Sequence, residues 1–397
     1  MGRYGDMKKQ TDYNDIQNKR RMPNLDLLRC VAMMMVVVLH YLGKGNLLPD
    51  LTERGMGAAG AAAWLLESFC IVAVNVYMLI SGYFLCTTSF KVSRLLQLWL
   101  QIWFYSVTFG LLGALTGVLK GTSFDFHYLL TLLFPVTMEH YWFLTAYIFL
   151  YLLLPFVGMA VKKMTKQQLQ IAAGLLLVVF CMAKSILPVR LETDQRGYDC
   201  LWYLCVFLTG AYMRRFGVPF LEKKRRGIFL YTGGCLFIFA GTFLLREVYL
   251  RTGRMEMLIK VCLEYNHILA FLAAAGLFTA FCRLRIQGSP AKIIGTIAPY
   301  TLGVYLIHEN LGLRYSWQNW LWAKRLAEGM AEGAGGLGAV CGLLLGTFLA
   351  VAAVFLCGIL ADMGRKWLFD SLHGLLQKSG FYRSLTEKVQ RADQAFH

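Results

Sequence analysis

The chain has 397 residues, 57% of them hydrophobic and 16% charged, and a formal net charge of +17. That balance excludes a water-soluble globule of this length, and the apolar residues fall in long blocks, which points to an all-α, polytopic membrane helix bundle. The basic excess has no aromatic–basic interleaving or nucleic-acid fold motif beside it, so nucleic acid is set aside as a partner.

Residues 1–24 are polar and read as a cytoplasmic N-terminal tail. No cleavable signal is expected, because the first apolar block is long enough to span. About ten spans follow, each roughly 18–28 residues: 25–43, 60–86, 93–119, 141–161, 168–188, 199–216, 227–246, 258–282, 293–314 and 335–361. With the N-terminus inside, the cytoplasmic loops and tails collect about 27 Lys and Arg and the outer side about 13, which predicts both termini in the cytoplasm of a multi-pass cell-membrane protein.

The first span, "LDLLRCVAMMMVVVLHYLGKG" (25–45), carries Arg29 and His40. Eleven residues turn a helix by about 1100°, roughly 20° past three full turns, so the two share a face about 16 Å apart along the axis. Met33 and Val36 lie between them, and Asp26 is placed to pair with Arg29. Snorkelling accounts for a lone Arg29, and a bundle hydrogen bond for a lone His40. Both on one stripe point instead to a polar cavity that the stripe lines. Histidine exchanges a proton near neutral pH, which suits a general base.

Glu67 falls in the outer third of the second span, where a carboxylate is costly unless it meets a partner or a cavity. Ser81 lies at the opposite end of that span from His40, so a Ser–His nucleophile pair is not expected. Lys91 and Arg94 stand one turn apart at the cytoplasmic start of the third span, as plain anchors or as a phosphate clamp. The segment 124–136 is too short to span and reads as a re-entrant or interfacial outer helix. Trp142 sits at the outer end of the fourth span, where a membrane-belt role is open. Glu264, Asn266 and His267, then His308, Glu309 and Asn310, fall in outer halves of their spans and with His40 suggest one polar outer chamber. After residue 361 the chain is amphipathic, with Trp367, Leu368, Leu372, Leu375 and Leu376 near one face. It reads as an interfacial cytoplasmic helix over part of 362–397, fraying after 380. His127, His373 and His397 are given no role.

The 11 cysteines show no C-x-x-C pair, and Cys200 and Cys205 are on different helix faces, so no bridge between them is expected. The seven histidines lack H-x3-H spacing and cysteine partners, so no metal is expected. There is no G-x-S-x-G elbow and no phosphate-binding G-x-x-x-x-G-K-[ST] loop.

The spacing Arg29-x10-His40, within "NLDLLRCVAMMMVVVLH", resembles the opening helix of the acyltransferase-3 family of integral membrane O-acyltransferases, the polysaccharide and peptidoglycan O-acetyltransferase type. "NVYMLISGYFL" (75–85), "SFKVSRLLQLWLQIWFY" (89–105), "HYWFLTAYIFLYLLLPF" (140–156), "YLCVFLTGAYMRRF" (203–216) and "TLGVYLIHE" (301–309) follow in the family's order, over roughly residues 24–361. The resemblance implies an enzyme that moves an acyl group, usually acetyl, from cytoplasmic acyl-CoA to a hydroxyl of an extracytoplasmic glycan or lipid-linked sugar. It implies no bound cofactor, with acyl-CoA as donor substrate. It makes 25–361 the catalytic membrane domain, His40 the base or acyl carrier, Arg29 a donor-positioning residue, and Lys91 and Arg94 a clamp on the CoA phosphates. Family members commonly carry Arg-x-x-Arg where this chain has Lys91-x-x-Arg94, which exchanges a planar fork for a point charge. Glu67, Trp142, His308 and Glu309 are then acceptor or cavity candidates. Glu67 would orient His40, bind the sugar or pair with a basic residue. The rival readings are a transporter or flippase for a polar or lipid-linked solute, whose path polar residues would line equally well, and a membrane sensor or polymerase partner.

Overall fold

The computed structural model describes residues 21–117, 125–187, 194–331 and 336–396. The N-terminal tail up to residue 20 lies outside them, as do His397 and the edges of the expected spans at 118–119, 188 and 335. Among the described residues there are helices and turns and no strand.

Helix α1 is Pro23–Lys44, α2 Ala58–Cys70, α3 Ala73–Leu85, α4 Val92–Leu115, α5 Phe126–Leu133, α6 Trp142–Lys163 and α7 Lys166–Leu177. Then come α8 Cys200–Phe216, α9 Lys224–Thr252, α10 Ile268–Cys282, α11 Gly288–Ile297, α12 Thr301–His308, α13 Leu337–Leu376 and α14 Gly380–Gln394. Proline opens α1, where its missing N–H is not needed, and Asp26 and Lys44 sit at the ends that favour their charges. Eight stretches among the described residues are long and apolar enough to cross a membrane. The other two expected spans fall on α8, with 17 residues, and on α11 and α12 joined by the turn Ala298–Tyr300. The expected short outer helix is α5, capped by Asp125, whose carboxylate accepts from the Tyr128 N–H.

Among the described residues two large apolar clusters form most of the interior, with a small third one around Leu51, Trp64 and Ile259. One large cluster is built from α1, α3, α8 and α10, the other from α1, α4, α12 and α13. Helix α1 belongs to both, which is why it is apolar nearly all round. Close approach of α3 and α8 depends on glycine: a Cβ on Gly82 would collide with the Phe207 backbone, and one on Gly210 would meet the Leu79 carbonyl at 2.5 Å. On the outer faces, α4 leaves Leu96, Trp99, Leu100, Trp103, Leu111 and Leu112 exposed, the pattern of a lipid-facing surface.

Two expectations for the C-terminal region change. No break separates a span from an interfacial helix at 361, because α13 runs on to Leu376. No proline interrupts it there, and the ion pairs Arg365–Asp362 (2.5 Å) and Lys366–Asp370 (2.7 Å) support the next turns. Nor does the chain fray after 380. Helix α14 returns to the start of α4, where the Asp393 carboxylate accepts from the Ser93 N–H (3.0 Å) and hydroxyl (2.5 Å), and the Phe396 ring packs on Phe90 at 4.9 Å. A carboxylate at a helix N-terminus meets unpaired N–H groups and the positive end of the dipole.

Candidate active site

A cavity of about 290 Å³ lies between α1, α3, α4, α6 and α12. Arg29, Met33, Val36 and His40 line it in that order along α1, so the sequence stripe is a cavity wall. Arg94, Ser81, Tyr147 and Tyr151 also line it, as do Trp142, Tyr265 and Tyr305. Arg29 donates to Asp26 (2.8 Å), which also takes Arg21 (2.6 Å), and its guanidinium lies 5.1 Å from the Phe84 ring centre. Its carbonyl accepts from the Tyr77 hydroxyl (2.9 Å), which fixes the helix at that point.

His40 sits in a hydrogen-bond chain that sets its tautomer. His308 Nδ1 lies 2.6 Å from the Val304 carbonyl, which only accepts, so Nδ1 carries the proton and Nε2 of neutral His308 is an acceptor. That Nε2 is 2.9 Å from His40 Nδ1, so His40 donates through Nδ1. The Glu309 carboxylate lies 3.1 Å from the same Nδ1 and is also held by the Lys44 ammonium. His40 Nε2 takes part in none of these contacts. Neutral His40 thus presents at Nε2 a lone pair with no hydrogen-bond partner among the described residues, with a carboxylate behind the ring to steady the imidazolium if it is protonated.

The loop after α12 is tied down around this chain. Asn310 donates to the Tyr105 carbonyl and the Tyr141 hydroxyl, both at 3.0 Å, and Arg314 donates to the His140 carbonyl at 2.6 Å. The Trp317 indole N–H donates to the His308 carbonyl at 3.1 Å. His140 shows the contrast with His40. Its Nε2 accepts from the Leu311 N–H (3.0 Å) and its Nδ1 meets the Ser106 hydroxyl (2.9 Å), so both nitrogens serve the structure.

His308 and Glu309 therefore join His40, as the sequence suggests, while other candidates separate from it. The single outer chamber is two clusters. In the second, the buried Lys184 ammonium is 2.7 Å from each of Asp194, Glu264 and Asn266, and Arg196 lies 3.6 Å from Glu264. His267 caps α10 by accepting from the Leu269 N–H. Glu67 is not the carboxylate that orients His40; Glu309 has that place. One Glu67 oxygen is buried with no hydrogen-bond partner among the described residues. Lys91 precedes α4 and does not line the cavity, whereas Arg94 does. Trp142 lines the cavity and packs on Tyr198 (4.3 Å) and Tyr265 (6.0 Å between ring centres).

Sequence reasoning missed Lys44, although its place four residues after His40 puts it on the same helix face. It also missed Asp362, fully buried on α13, which accepts from Tyr105 (2.8 Å) and Gln101 (3.1 Å). No metal was expected from spacing, yet His40, His308 and Glu309 bring one ligand atom each within 4.8 Å. In this structure Lys44 and the His–His hydrogen bond satisfy those atoms from within the protein.

A family model described as an acyltransferase domain, that of the acyltransferase-3 family, matches residues 22–361. No curated protein and no solved structure matches the chain.

Proposed function

The chain belongs to the acyltransferase-3 family and is a membrane acyltransferase; from that premise we propose that it transfers acetyl from cytoplasmic acetyl-CoA to a hydroxyl of an extracytoplasmic glycan or lipid-linked sugar. Arg29 and Arg94 hold the donor at the end of the cavity remote from His40, with Lys91 adding charge outside it. The acceptor hydroxyl meets the thioester beside His40, where Nε2 takes its proton as the oxygen attacks, or Nε2 itself carries the acetyl group in transit. Glu309 stabilises the imidazolium in either route. An apolar cavity wall excludes water, which would otherwise compete for the thioester.

The observation that carries this reading is the Nε2 of His40, without a hydrogen-bond partner among the described residues and fixed in its tautomer by His308 and Glu309 on the wall of a cavity that also holds Arg29 and Arg94. The test is His40→Gln, which keeps a hydrogen-bonding side chain but cannot take a proton near neutral pH. Acetyl transfer from radiolabelled acetyl-CoA, in inverted membrane vesicles from cells that make the acceptor, is expected to fall about 10²- to 10⁴-fold in kcat, with protein level and CoA binding near wild type. An active His40→Gln protein would remove His40 from the chemistry.

A further inference from the structure

Tyr305, on α12, lines the cavity with His40 and is 5% exposed. Its ring is held edge-on against His308 (6.0 Å, 90°) and Phe143 (5.9 Å, 65°). His308 is in turn 5.1 Å from the His40 ring, so Tyr305 and His40 flank the same imidazole. Its hydroxyl oxygen is buried and has no hydrogen-bond partner among the described residues. The backbone N–H of Phe143 lies near that oxygen without reaching hydrogen-bonding geometry. An N–H only donates, so the hydrogen of the tyrosine hydroxyl stays unused in either case.

Neighbouring tyrosines behave differently. Tyr77 gives its hydroxyl to the Arg29 carbonyl, Tyr141 to the Leu306 carbonyl, Tyr105 to Asp362 and Tyr151 to the Lys91 carbonyl. Tyr203 shares the unpartnered condition, but it does not line the cavity. A buried hydroxyl without a partner is unfavourable, and one on a residue that lines the cavity with His40 is explained when a ligand supplies the acceptor.

We propose that Tyr305 is a catalytic residue whose hydroxyl donates a hydrogen bond to the thioester carbonyl oxygen as negative charge builds there. This rests on the acetyl-CoA reading above. The acceptor oxygen forms a bond to the carbonyl carbon and its proton passes to His40 Nε2. The carbonyl oxygen becomes an oxyanion, held by the Tyr305 hydroxyl, which keeps its own proton. Collapse breaks the C–S bond, and the CoA thiolate leaves and takes the proton from the His40 imidazolium. A donor placed in advance toward the oxyanion, in a site that excludes water, favours the transition state over the ground state.

The test uses the full chain in inverted membrane vesicles from cells that make the acceptor, with release of free CoA from acetyl-CoA as the readout, so that the acceptor is present without having to be identified. Tyr305→Phe keeps the ring and removes a hydroxyl that makes no protein bond, so melting temperature and CoA affinity should hold. The expected result is a kcat lower by about 10²- to 10³-fold with the KM for acetyl-CoA within twofold. A trifluoromethyl-ketone analogue of acetyl-CoA, whose hydrate mimics the tetrahedral state, should lose affinity by a similar factor. Tyr203→Phe removes a second unpartnered tyrosine hydroxyl and should leave kcat unchanged. Wild-type kcat and analogue affinity in Tyr305→Phe, or equal losses in both variants, would overturn the role of Tyr305 while leaving the acetyl-CoA reading intact. No CoA release by the wild-type protein would overturn both.

Discussion

Arg29 and His40 were legible from the sequence because helical periodicity is local: eleven residues of α1 place both on one wall. The partner of His40 was not. Glu67 and Glu309 are both carboxylates in the outer parts of apolar segments, and choosing between them requires knowing that α12 packs on α1 across 268 residues of chain, as the His40–His308 hydrogen bond records. The two glutamates should now separate by experiment. Glu309→Gln removes the charge behind His40 but keeps its amide oxygen near Lys44, and should lower kcat by about 10- to 100-fold, the range of one charged hydrogen bond. Glu67→Gln leaves the hydrogen-bond chain of His40 untouched and should hold kcat within about threefold, since one unpartnered oxygen makes no contact with it. Steady-state kinetics with acetyl-CoA distinguishes them, and a larger loss in Glu67→Gln than in Glu309→Gln would return the orienting role to Glu67.

Single elements show where local reading ends. The polar run around 362–366 looks like the close of a span, yet it contains no proline, and side-chain pairs across Gly364 carry α13 onward. The order of α14 had no local signal, because it depends on the unpaired N–H groups of α4, three hundred residues earlier. Hydrogen bonds from Ser93 hold the Asp393 carboxyl below the ordinary aspartate range. A lowered folded-state value means that docking is supported above the unfolded pKa and loses that support as the pH falls through the lowered value. Docking of α14 should therefore persist at neutral pH and weaken under acid. Asp393→Ala should release it at pH 7, seen as faster hydrogen exchange at the Ser93 amide and along 380–394; unchanged exchange would show that Phe396 holds the helix alone. The same end of α4 carries the proposed donor clamp, and its two cations are not equivalent. Arg94 lines the cavity and Lys91 does not, so Arg94→Ala should raise the KM for acetyl-CoA by roughly 10- to 100-fold and Lys91→Ala by less. Equal or absent shifts would make both residues membrane anchors.

At the scale of the whole molecule, α1 is the shared wall of two apolar clusters, and the cavity forms beside it. A helix that must be apolar toward both clusters has only a narrow stripe left for polar groups, and Arg29 and His40 occupy it. The proposed reaction needs the donor to arrive near Arg29 and the acceptor near His40, and so it predicts the topology. The segment from Glu222 and Lys223 into Lys224, Arg225 and Arg226 at the start of α9 is rich in positive charge, which predicts that it lies on the cytoplasmic side with both termini. Single cysteines introduced over 219–225 in a cysteine-free background should react with a membrane-impermeant maleimide only after permeabilisation. Cysteines over 50–55, in the loop between α1 and α2 on the side of His40, should react in intact cells. Labelling of the 219–225 positions from outside would invert the bundle. It would also put Arg29 and Arg94 on the side away from cytoplasmic acyl-CoA, so the donor assignment would fall with the topology.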